Sequence, residues 1–216
     1  MSEFFPTYKS IKVNKNVELL AFTCQDTVFQ LAYIAPGASF PLHQHPESQM
    51  GMMISGDLEM NVNGKKEFLK PFQQVYSAGT NVPHGSENYS NQTVFCFDVK
   101  RLVNSPNNNE ELILDLLPTI EQNTNLPCQK AVSSWFEIIV TKIPGGSTIP
   151  SHKSNHHEIG VILNGQMMMN IADENKHLQK EQVYFVPSNT IQKGYNPVTE
   201  EVTLIKIKLP MQGEYN

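Results

Sequence analysis

From Val17 onward the apolar residues come in short runs rich in Val, Ile, Phe and Tyr. Turn-forming triplets such as Pro36-Gly37-Ala38, Ser55-Gly56-Asp57 and Asn63-Gly64-Lys65 interrupt them. Runs this short, bounded by Gly and Pro, predict strands. Residues 58–69 show the pattern most plainly: Leu58, Met60 and Val62 alternate with polar residues, and Asn63-Gly64 supplies a two-residue hairpin turn. One segment departs from it. In residues 108–120, Leu112, Ile113, Leu116 and Leu117 fall at helical spacing and Pro118 closes the run, which predicts a short helix between two β units. That helix is also a candidate homodimer contact. No apolar stretch approaches the length of a membrane span, so no membrane partner is expected.

The two β units repeat one another. Gly37, His43, Gln49 and Gly56 meet Gly146, His152, Glu158 and Gly165, each 109 residues on, and His84 and Asn88 meet Gln192 and Asn196 at 108. The run QVYSAGTN at 74–81 aligns with QVYFVPSN at 182–189. Period and identity agree along most of the chain, as a duplicated domain requires. The expected fold is all-β: two tandem small antiparallel barrels of jelly-roll type, at 1–104 and 123–216, joined by a helical linker at 105–122.

Residues 37–56 carry the first candidate chemistry. His43 and His45 stand two apart, so in an extended chain they share one face, with Gln49, Gly51 and Met53 in the same parity. Two imidazoles so placed, with a third ligand nearby, hold a divalent metal. His84, followed four residues later by Asn88, is the expected partner from further along. These spacings resemble the two cupin motifs, with Gln49 in place of a glutamate. The expected cofactor is one divalent ion in the N-terminal barrel, held by His43, His45, Gln49 and His84; Fe, Co, Ni, Zn and Mn all suit that set. A neutral amide leaves such an ion its full charge and favours an anionic, chelating substrate. In the second copy Ser154 and Gln192 replace two histidines, leaving His152 and Glu158, with His156 able to add a third ligand by parity.

The run 95–101 supplies further candidates. Alternation sets Asp98 and Lys100 on one face and Phe97, Val99 and Arg101 on the other. A carboxylate and an ammonium inside a small barrel must be paired or used, while on the outer face they would form a surface ion pair. Arg101 could anchor a substrate carboxylate from the barrel rim through its bidentate geometry. Tyr76, in the strand leading to His84, could exchange a proton or simply pack. Met53 and Met60 share the ligand-face parity and could line an apolar wall for a ring.

Composition narrows the partners. A net charge of -5 with scattered Lys and Arg leaves no basic stripe for nucleic acid. Three widely spaced cysteines, Cys24, Cys96 and Cys128, suit a reducing compartment. The start MSEFFPTYKS lacks the basic and apolar regions of a signal peptide, so a cytoplasmic protein is expected.

The segments FPTYK, AYIAPGASFPLHQHPESQMGMMISGDLEMNV, NVPHGSEN, FDVKRL and SSWFEIIVTKIPGG resemble the bicupin isomerases of the BacB/AerE family of bacilysin and aeruginosin biosynthesis. The resemblance covers nearly the whole chain. It implies a metal-dependent isomerase that shifts a ring double bond of a prephenate-derived dihydro-4-hydroxyphenylpyruvate by a 1,3-allylic proton transfer. It further implies a small-molecule 2-oxo acid substrate and metal ligands at His43, His45, Gln49 and His84; BacB-like members retain a second metal set, from which this chain departs with Ser154 and Gln192. On such a substrate Asp98 or Tyr76 would shuttle the proton, and Lys100 or Arg101 would hold the carboxylate. The His-His-Gln-His set also resembles small cupins that linearise unsaturated uronates, and bicupin dioxygenases are a further alternative.

Overall fold

The computed structural model describes residues 2–103 and 111–210, and every regular element among them is a strand. Against the expected limits of 1–104, 105–122 and 123–216, the compact units run Tyr8–Leu116 and Met1–Thr7 with Leu117–Asn216. Among the described residues no helix is long and apolar enough to cross a membrane.

The first unit holds, in order, β1 (Lys9–Asn14), β2 (Val17–Cys24), β3 (Thr27–Ile34), β4 (Ser39–His43), β5 (Ser48–Ser55) and β6 (Leu58–Val62). These are followed by β7 (Lys65–Leu69), β8 (Gln74–Ala78), β9 (His84–Glu87), β10 (Val94–Arg101) and β11 (Ile113–Asp115). A seven-stranded sheet runs β1-β2-β3-β10-β5-β8-β11 and a four-stranded sheet runs β4-β9-β6-β7. The apolar residues of alternating parity face inward and meet between the sheets, where Leu19, Ile34, Met53, Leu58, Met60 and Cys96 form one buried cluster. The β6–β7 hairpin turns where expected: Asn63 and Gly64 both have positive φ, 52° and 83°, the geometry that suits a two-residue turn between twisted strands.

The second unit repeats this plan with β12 (Leu117–Ile120), β13 (Pro127–Val132), β14 (Glu137–Ile143), β15 (Thr148–His152) and β16 (His157–Asn164). It is completed by β17 (Gln166–Ile171), β18 (Glu174–Gln179), β19 (Val183–Val186), β20 (Gln192–Tyr195) and β21 (Val202–Leu209). Its sheets run β12-β13-β14-β21-β16-β19 and β15-β20-β17-β18. Phe5 joins its core beside Ile143, Ile162, Met167 and Leu204, and the Phe4 carbonyl accepts from the Phe185 amide at 2.8 Å.

The expected helix is not there in its described part, and residues 104–110 lie outside the described residues. Ile113–Asp115 instead pairs with β8, and Leu117–Ile120 pairs with β13. The helical spacing did not correspond to one buried face, because Ile113 and Leu116 are buried while Leu117 is 63% exposed. Sheet edges offered the backbone ready partners, as in the Leu116 amide donating to the Gln73 carbonyl at 2.8 Å. Tertiary pairing of this kind overrides a weak local helical preference.

Candidate active site

Register orders the inward face of the large sheet of the first unit into rows. Leu19, Ala32, Cys96 and Met53 form one row, and Ala21, Gln30, Asp98, Gly51 and Tyr76 the next. Val28, Lys100, Gln49 and Ala78 form the third. The rows pass from apolar to charged, and a cavity opens over them. Leu19, Ile34, Met53, Leu58 and Met60 line its apolar end, and His43, Gln49, His84, Asp98 and Lys100 its polar end.

The three expected histidines meet at this polar end, their candidate ligand atoms all within 4.8 Å of one another. Each is oriented by the backbone. His43 Nδ1 lies 2.8 Å from the Pro41 carbonyl, His45 Nδ1 2.9 Å from that of Glu47 and His84 Nδ1 2.9 Å from that of Val82. A carbonyl only accepts, so each Nδ1 carries the proton and each Nε2 turns a lone pair to the common centre. Gln49 Oε1, another acceptor, lies 3.0 Å from His45 Nε2 and 3.2 Å from His84 Nε2. Converging acceptors with no proton to share fit a cation, and four neutral N and O donors fit a divalent transition metal. Burial pushes His84 down to about 4, which keeps its imidazole neutral and ready to ligate; His43, His45 and Lys100 add to the shift against the Val82 carbonyl.

Gln49 also reaches away from the histidines. Its Nε2 donates to the Tyr76 hydroxyl at 2.5 Å, and that hydroxyl donates in turn to Asp98 Oδ1 in a short contact. The amide is thereby orientated with its oxygen toward the histidines. Burial, then the Asp98 charge, hold Tyr76 well above its usual range, so it remains a donor. Burial likewise raises Asp98, against the Tyr76 hydrogen bond and the Lys100 charge. Gly51 makes this contact sterically feasible: a Cβ there would meet Asp98 Oδ1 at 2.5 Å and Tyr76 Cε1 at 2.6 Å.

Of the other candidates, Lys100 lines the cavity and makes no ion pair among the described residues. Met53 and Met60 line the apolar wall. Arg101 is elsewhere. Its alternation with Lys100 turns it to the opposite face, where it is 2% exposed and its Nε donates to Asp26 Oδ2 at 2.9 Å. A hold on a substrate carboxylate from the barrel rim is not available to it.

In the second unit His152 Nε2 and Glu158 Oε1 are buried without a partner, and Gln192 Nε2 donates to Glu158 Oε2 at 2.8 Å. His156 joins no three-residue ligand group there, because the one such group among the described residues is His43, His45 and His84. Lys206 and Lys208 stand where the first unit has Asp98 and Lys100. Lys206 pairs with Glu121 at 2.8 Å and Lys208 with Glu137 at 3.0 Å.

The cavity residue that sequence reasoning missed is Gln30. Nothing in β3 taken alone distinguishes it from a surface glutamine; its place beside Asp98 is set by strand register.

The cupin domain family matches residues 30–100 and 139–208. The chain is similar to the H2HPP isomerase of Bacillus subtilis, 33% identical over 174 residues, covering 78% of this chain and 72% of that protein. The crystal structure of AerE from Microcystis aeruginosa superposes with a TM-score of 0.95 at 44% identity, over 97% of this chain and 100% of that one. Bacillus subtilis oxalate decarboxylase shares the fold, with a TM-score of 0.80 at 14% identity over 97% of this chain and 78% of that one.

Proposed function

This chain belongs to the cupin domain family and carries that domain twice, and we propose that its first barrel is a metal-dependent isomerase of natural-product biosynthesis. The reaction is a 1,3-allylic proton shift that moves a ring double bond of dihydro-4-hydroxyphenylpyruvate into conjugation with the pyruvyl group. The observation that carries the reading is the placement of four convergent acceptors, the Tyr76–Asp98 pair and an apolar wall around one cavity. Similarity to the H2HPP isomerase and to AerE supports it.

His43, His45, Gln49 and His84 would hold a divalent ion, which would supply Lewis acidity toward a 2-oxo acid. The protein does the rest. Lys100, one strand from Gln49 in the same row, holds the carboxylate by charge. Leu19, Ile34, Met53 and Met60 take the ring and exclude water. The Asp98 row lies between the Lys100 row and the Met53 row. Raised by burial, Asp98 takes the proton from one end of the allylic system and returns it at the other, steadied by the Tyr76 hydroxyl.

An ultraviolet time course with dihydro-4-hydroxyphenylpyruvate tests the reading. A new longer-wavelength absorption is expected with metal-loaded protein and not with His84→Ala or chelator-treated protein. A spectrum that stays still while metal is bound would overturn it, and uronate and oxygen-consumption assays would then be decisive.

A further inference from the structure

We infer that Gln30 determines specificity by hydrogen-bonding the polar substituent at the far end of the substrate ring, an inference that rests on the isomerase reading above. Gln30 lines the cavity and lies directly opposite Asp98 across the β3–β10 pair. Its side-chain amide has no hydrogen-bond partner among the described residues. A glutamine facing a pocket with an unused donor and acceptor loses by desolvation whenever an apolar ligand covers it. It gains when the ligand brings a hydroxyl.

Position fixes which end of the ligand it meets. Lys100 and Gln49 are neighbours in the charged row, so the acid end of the substrate lies there. Gln30 lies one row toward the apolar end and two strands from Gln49, about 10 Å across the sheet at ordinary strand spacing. A ring anchored by its acid side chain at Lys100, with Asp98 beneath it, directs its far substituent toward β3.

The second unit acts as an internal control. Its residue at the Gln30 position is Ile139, opposite Lys206. Where the internal acid Glu137 neutralises the counterpart of Lys100, the counterpart of Gln30 is apolar. Where the cation is left for a ligand, the glutamine is present. Amide and free ammonium occur together in one barrel and are absent together from the other.

The test compares two stable analogues, 4-hydroxyphenylpyruvate and phenylpyruvate, by calorimetric binding to metal-loaded protein. Wild type is expected to bind the hydroxylated analogue about tenfold more tightly, the worth of one well-made hydrogen bond. Gln30→Met, of similar volume, and Gln30→Ile, the residue of the second copy, are expected to bind the two analogues equally. Two results would overturn the inference and leave the isomerase reading standing: wild type that does not discriminate, or variants that keep the wild-type preference. If wild type binds neither analogue, both readings fail.

Discussion

The Gln49 amide nitrogen lies 2.5 Å from the Tyr76 hydroxyl oxygen, and the donor can only be the amide, because the hydroxyl hydrogen is committed to Asp98. The direction of that chain depends on Gln49 being an amide. A glutamate there would accept from Tyr76 and compete with Asp98 for one proton. Gln49→Glu is therefore expected to retain the metal, measured by elemental analysis, and to lower turnover at least tenfold. Tyr76→Phe is expected to retain the metal and lower turnover about a hundredfold. Unchanged turnover in both variants would remove the chain from the mechanism.

Gly51 separates Asp98 from Tyr76 with no side chain of its own. A methyl group would approach the Phe97 carbonyl at 2.6 Å as well as both members of the pair. Gly51→Ala is expected to cost about 1–3 kcal/mol in denaturant unfolding, as overpacking does, and to lower kcat more than it raises KM.

Lys100 is expected to act on binding. Lys100→Met keeps the stem and removes the charge, so KM should rise at least tenfold with metal content unchanged. An Arg101→Met variant, by contrast, removes a buried guanidinium whose partner Asp26 is exposed, so its effect should appear in thermal unfolding, without a selective change in KM.

Acid sensitivity follows from His84. Its folded value, about 4, lies below its unfolded value near 6.5, so the unfolded chain takes up the proton first. Stability is complete above pH 6.5 and falls as the pH drops toward 4. Thermal unfolding of metal-free protein should show that slope, and His84→Gln, which copies Gln192 of the second unit, should flatten it.

The second unit has its own critical pair. Burial alone would raise Glu121, but the Lys206 ammonium and the Thr124 hydrogen bonds hold it down to about 2. Its stabilising effect is thus present above the unfolded value of 4.5 and is lost as pH falls through about 2. Both side chains are buried, so Glu121→Gln leaves Lys206 uncompensated, with an expected cost of about 3–5 kcal/mol in chemical unfolding. Turnover in the first barrel should not change at saturating substrate.

The residues alone determined the strand pattern, the duplication and the candidate metal-ligating histidines, because each of these is written in spacing along the chain. His43 and His45 share parity within one strand, and the repeat at 109 residues marks their counterparts. The helix at 108–120 was misread for the same reason: its spacing was local, while the partners that drew Ile113–Asp115 and Leu117–Ile120 into sheets were not. Only the tertiary structure decided that Asp98 meets Tyr76 across Gly51, that Gln30 lies beside Asp98, and that Arg101 belongs to Asp26. Those facts depend on the register between strands distant in sequence, and register is set by how the two sheets bury their apolar rows, a property of the assembled barrel that no single strand carries.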